Sequence, residues 1–207
     1  MRPEDHRPPA TPVVGAAREV AAQHLSPALL LHSERSWYWA SAFAEVLGFG
    51  DLDRELLAVA ALLHDLGLAE VFDAVRAPYE TAGGHVAAVL AAGAGWPATR
   101  RQRLVEVIER HNWPEVDPGL DREGHLLEIA TGLDISGARP DVLPRDYLRA
   151  VLAELPRGDL GAEFGAHLVD QAARKPGSQA HRILHGGVLE RLAHHPLEDP
   201  ALLRPAD

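Results

Sequence analysis

Apolar residues recur every three or four positions through most of the chain. Nowhere do apolar and polar residues alternate for long enough to make a strand. The pattern predicts an all-α chain folded as a compact helical bundle, with helices near 12–25, 28–47, 54–68, 80–92, 99–111, 121–135, 145–155, 162–173 and 179–193. Ser26 followed by Pro27 is an N-cap with proline at the first helical position, and Asp53 caps the next helix. Gly48 and Gly50 mark the end of the helix between them. Segment 54–68, RELLAVAALLHDLGL, is apolar on almost every face, which marks a buried helix. Residues 1–11, with three prolines and several charges, read as a disordered leader. Residues 12–195 read as one domain and 196–207 as a polar tail.

Composition narrows the function classes. Thirty acidic residues against twenty basic ones give a net charge of −10, and no Lys/Arg run offers a face for phosphates. Nucleic acid is therefore not an expected partner; a small molecule is. No apolar stretch is long enough for a membrane span and no secretory leader is visible, so no membrane partner is expected and the cytoplasm is the default location. Association into a homo-oligomer is left open. The chain has no cysteine, so any metal must be held by histidine nitrogen and carboxylate oxygen.

Attention then falls on His64-Asp65. The dipeptide is unremarkable alone, but Leu62, Leu63, Leu66 and Leu68 surround it in the most apolar helix. An ionised aspartate buried without a partner costs several kcal/mol, and a metal ion would offset that cost. A cleft, or neutralisation of Asp65 by His64, would serve equally on sequence alone. Other ligand types stand in or at the ends of separate helices: His32, His85, His111 and Asp134. Each has an ordinary structural explanation, such as a core histidine bonded to a carbonyl, or a histidine at a helix C-terminus. Together they are what a bundle uses to converge ligands on a metal.

These residues, in this order, resemble the HD-domain superfamily of metal-dependent phosphohydrolases and their relatives. The pattern H…HD…D is matched by His32, His64-Asp65 and Asp134, and two-metal relatives add histidines where His85 and His111 stand. Similarity spans about 27–137. Within the superfamily the chain resembles the cyanamide hydratase-like branch, in HSERSWYWASAFA, in AALLHDLGL, in the spacing of Glu80 and His85, and in Lys175-Pro176. The branch's second added histidine is usually followed by threonine, whereas Asn112 and Trp113 follow His111.

The resemblance implies a bundle of the HD type holding one or two divalent ions, Zn, Fe or Mn, with Asp65 bridging if there are two. It implies a metal-activated water, and no organic cofactor is expected. The first reaction is hydration of a small nitrile, with Asp65 at the reacting centre and Glu34, Glu80 and Asn112 as the polar candidates for managing its protons. Phosphate-ester hydrolysis is the alternative, with Arg35 (one turn after His32) as the phosphate-facing cation and Arg76 and Arg110 as weaker candidates. A diiron oxygenase of the myo-inositol oxygenase type would use the same six ligands.

Overall fold

The computed structural model describes residues 1–203, and within them the chain is helical with no strand. Eleven α-helices are present among these residues: α1 (Pro12–His24), α2 (Pro27–Leu47), α3 (Arg54–Leu63), α4 (Tyr79–Gly93), α5 (Ala98–Arg110), α6 (Arg122–Ser136), α7 (Arg145–Glu154), α8 (Leu160–Arg174), α9 (Gln179–His185), α10 (Val188–Ala193) and α11 (Pro200–Leu203). Helix α2 packs on α3, α6 and α8, and α4 packs on α5. One apolar cluster runs from Val13 to Leu202 and draws on almost every element. No helix among the described residues is long and apolar enough to cross a membrane.

The caps read from sequence are present. Ser26 Oγ accepts the Leu29 N–H at 3.1 Å, and Asp53 Oδ1 accepts that of Leu56 at 3.0 Å. Helix α2 ends on Gly48, whose φ of 73° is left-handed.

The apolar segment differs from expectation in one way that matters. Every residue from Leu56 to Leu68 is buried, but the helix stops at Leu63 and resumes only as a 3-10 turn, Leu66–Leu68. Gly67 is the physical reason. It lies so close to the start of α4 that a Cβ there would stand 2.0 Å from the Tyr79 carbonyl oxygen. The chain must turn at His64 and Asp65 to make that approach. Asp65 takes φ −98° and ψ 6°, the sparsely populated region between helix and strand where many active-site residues sit.

Three further expectations are corrected. The leader is docked rather than disordered: Pro3–His6 forms a 3-10 turn, and the buried His6 ring meets Tyr147 Oη at 2.7 Å and Glu45 Oε2 at 2.9 Å. The Trp37 indole N–H donates to the His6 carbonyl at 2.7 Å, fixing the segment from below. The tail folds in part as well, since Pro196–Glu198 is a 3-10 turn that buries Leu197, and Leu202 is buried; residues 204–207 of the expected tail lie outside the described residues. The single helix expected over 179–193 is two, α9 and α10, parted at Gly186 and Gly187, where Gly187 has φ 79°.

Candidate metal centre

Four histidine and aspartate side chains meet where α2, the turn after α3 and the end of α5 converge. On a helix, neighbouring side chains point about 100° apart. The turn after Leu63 frees His64 and Asp65 from that rule, and both face the same point. His32 and His64 approach Nε2 to Nε2 at 3.0 Å. Asp65 Oδ2 lies 3.4 Å from His32 Nε2 and 3.3 Å from His64 Nε2. His111 Nε2 is 3.7 Å from the other oxygen, Oδ1. All four side chains are buried.

The outer nitrogens show what this arrangement needs. His32 Nδ1 faces Asp134 Oδ2 at 2.7 Å, His64 Nδ1 faces the Ala61 carbonyl at 2.9 Å, and His111 Nδ1 faces the Ile108 carbonyl. Each of these oxygens accepts only, so each Nδ1 carries the hydrogen. With Nδ1 so engaged, each Nε2 is turned inward, the orientation that metal-ligating histidines adopt. Two Nε2 atoms 3.0 Å apart beside a carboxylate need a positive charge or a proton between them. Neither oxygen of Asp65 has a hydrogen-bond partner among the described residues. A proton between the imidazoles answers one contact, whereas a divalent cation answers all three. His32, His64 and Asp65 offer ligand atoms within 4.8 Å of one another, so the donor set fits a divalent metal of the borderline class.

Electrostatics follow the same geometry. Burial alone would raise the Asp65 carboxyl, but the adjacent His64 and His32 outweigh it and hold the group well below the usual carboxylate range. His32 is shifted the other way: burial lowers it, and its contacts to Asp134 and Asp65 prevail to raise it. His111 is pushed down to about 3, first by burial and then by the charge of His64.

The structure sorts the remaining candidates. Asp134, expected among the ligands, stands behind His32 and apart from the cluster. Its Oδ1 accepts from Arg35 Nε at 2.9 Å and Trp39 Nε1 at 2.8 Å, and its Oδ2 from His32 Nδ1 and from Arg35 Nη2 at 2.7 Å. Arg35, expected to face a substrate phosphate, is wholly buried; besides Asp134 it bonds the Leu155 and Pro156 carbonyls. The expectation that it shares a face with His32 was correct, but Asp134 occupies that face.

His85 is exposed and lies outside the cluster of His32, His64 and Asp65, so the structure does not bring all six expected ligands together. Helix phase explains this: Gly83 packs on Gly67 and Gly84 on Val105, so the next residue turns outward. Glu80 is buried behind the centre, where burial raises its carboxyl to about 7 against its own backbone amide and Asn112. Asn112 is nearer, donating to Tyr79 Oη at 2.7 Å. Arg76 is exposed, and Arg110 is held by Asp121 and Glu106.

A cavity of about 440 Å³ opens from the centre. His32, His64, Asp65, His111 and Asn112 close its inner end, and Ile129, Phe164 and Ile183 form apolar wall. Sequence reading missed its charged lining of Glu128, Arg139, Arg182 and Arg191. It also missed Arg157, which bonds the Asp134 carbonyl and Glu198. These residues come from segments with no motif and meet only through folding. The one local signal was Arg139, two residues past the helix-ending Gly137.

Comparison with known proteins agrees with this geometry. A family model described as HD domain matches residues 29–134, which spans His32 through Asp134. Cyanamide hydratase DDI2 and cyanamide hydratase DDI3 of Saccharomyces cerevisiae are each 29% identical over 172 residues, covering 82% of this chain and 76% of theirs. Family and relatives together make the chain a metal-dependent enzyme of the hydrolase or hydratase type. With more than half its length matched by the family model and its buried His/Asp cluster inside that match, the chain belongs to the HD domain family.

Proposed function

We propose that His32, His64 and Asp65 hold one divalent metal ion, and that the chain adds water to the carbon–nitrogen triple bond of a small nitrile, as in the conversion of cyanamide to urea. The observation that carries this reading is Asp65, a wholly buried carboxylate with no hydrogen-bond partner among the described residues, facing two histidine Nε2 atoms at the closed end of a cavity. The names of the two yeast relatives support the choice of reaction.

Bound there, a divalent ion supplies Lewis acidity and lowers the pKa of water. The chain's own residues do the rest. Asp134 fixes the His32 ring through Nδ1, as the Ala61 carbonyl fixes His64. His111 lines the cavity beside Asp65 with its Nε2 inward, placed to orient the attacking water by accepting a hydrogen bond from it. In the overall reaction the water oxygen bonds the nitrile carbon, and both water protons finish on product nitrogen. Asn112 lines the same wall, and its side chain is steadied by Tyr79. Ile129, Phe164 and Ile183 limit competing water.

The phosphate-ester alternative needs a cation at the reacting phosphorus. Arg35 and Arg157, the buried cations behind the centre, are both turned to Asp134. The oxygenase alternative needs the full six-ligand set, and His85 is outside it.

The test is urea production from cyanamide by the metal-loaded chain. Turnover that is abolished in Asp65→Asn supports the reading. Absence of turnover on cyanamide and on a panel of other nitriles, with metal bound, would overturn it.

A further inference from the structure

Arg139, Arg182 and Arg191 line the same cavity as the metal centre, and all three are exposed, so they stand at its open end. In this acidic chain many arginines are neutralised by carboxylates, as with Arg35, Arg100, Arg103, Arg110, Arg157 and Arg174. No carboxylate among the described residues lies within ion-pair distance of Arg139, Arg182 or Arg191, which sets them apart from those six.

Two of them are nonetheless held in place. Arg182 Nη2 donates to the Asn112 carbonyl, and Arg191 Nη1 donates to the Gly186 carbonyl at 2.8 Å. Carbonyl oxygens fix a guanidinium without cancelling its charge. Arg139 has φ 57°, the one non-glycine residue among those described with positive φ. That conformation disfavours a side chain of this size, so a strained arginine on a cavity wall calls for a functional reason. Glu128 shares the wall and feels Arg139, but burial raises its carboxyl to about 7, so it offsets the positive charge only in part near neutral pH.

Size points the same way. A cavity of about 440 Å³ suits a metabolite-sized ligand. Cyanamide, with three heavy atoms, would leave most of it empty.

We infer that the open end of the cavity is an anion subsite, and that the substrate carries a carboxylate or phosphate-type group held by Arg139, Arg182 and Arg191 while its other end reaches the metal centre. This rests on reading the cavity as the substrate site, but not on the reaction being nitrile hydration.

The experiment is calorimetric binding to the metal-loaded full chain of cyanoacetate and cyanoacetamide, which match in size and differ in charge. Cyanomethylphosphonate is added to separate a phosphate-type ligand from a carboxylate. The anions should bind about tenfold more tightly than the amide. Arg139→Gln combined with Arg182→Gln should bring that ratio close to one. Arg122→Gln, which removes the same charge from an exposed site outside the cavity, should leave it unchanged. Equal binding of the matched pair, no binding by either anion, or a preference that survives the double variant would overturn the inference.

Repeating the titration on metal-free Asp65→Asn separates the two readings. An anion preference that persists there, beside a metal-loaded parent chain that turns over no nitrile, sinks nitrile hydration and keeps the subsite. Cyanamide turnover with no anion preference does the reverse.

Discussion

Asp65 and Asp134 are both wholly buried, both held well below the usual carboxylate range, and both beside His32, yet their surroundings are opposite. Asp134 has donors on each oxygen: Arg35, Trp39 and His32. Among the described residues Asp65 has none on either. Protein groups satisfy the first, whereas no hydrogen-bond donor among the described residues reaches the second. Burial and charge alone would give the two residues the same role. Counting hydrogen-bond partners separates an orienting carboxylate from one kept open for an ion.

The largest expected effect that tests this contrast is on activity. Asp65→Asn removes the charge from the open site, and turnover should fall by at least about a thousandfold. The same substitution removes the contacts to His32 and His64 that hold the carboxyl low, so it should cost the metal-free chain some stability, but less than breaking the fully bonded Asp134 would. Steady-state kinetics and urea unfolding of the metal-free chain check the two halves. A loss as large as that of the Asp134 variant would show that Asp65 is a structural residue after all.

The converse change comes next. Asp134→Ala leaves Arg35 buried without its carboxylate and should destabilise the metal-free chain by about 3–5 kcal/mol. Urea midpoints at constant slope would record it. A loss under about 1 kcal/mol would put Asp134 in the same class as Asp65.

Part of this was legible in the sequence. The helices, the Ser26 and Asp53 caps and the burial of the HD segment follow from local pattern, because apolar spacing and capping chemistry act within a few residues. The break after Leu63 was not legible, since it depends on Gly67 meeting the Tyr79 carbonyl. The docked leader depends on His6 meeting Tyr147, 141 residues away. His85 was misplaced for a reason the sequence does contain. Five residues along a helix turn a side chain about 140° from its start, so with Glu80 facing inward, His85 faces out. Arg35 was put on the correct face, but only the fold shows that Asp134 waits there.

Glu128 offers a smaller test, as a third carboxylate intermediate between the two. Its folded pKa of about 7 exceeds the ordinary 4.5, and the cause is burial. Between these values the folded chain holds a proton that the unfolded chain has released. Stability contributed by this group is therefore present below about 4.5 and declines as pH rises through about 7. Glu128→Gln mimics the protonated form, so its advantage over the parent should grow from pH 5 to pH 8 by about 1 kcal/mol, allowing for solvent around a half-buried side chain. Thermal melts at the two pH values check this; a constant difference would contradict it.

The smallest expected effect is at His85. Exposed and outside the cluster, His85→Ala should change stability by less than about 0.5 kcal/mol and leave metal content unchanged. Loss of half the bound metal would restore the two-ion centre.

Metal stoichiometry bears on the central claim most directly. Elemental analysis of the purified chain, beside Asp65→Asn prepared in the same way, should give about one divalent ion per chain for the first and none for the second. A native chain that cannot be loaded with metal, or an Asp65→Asn chain that holds as much as its parent, would contradict the account.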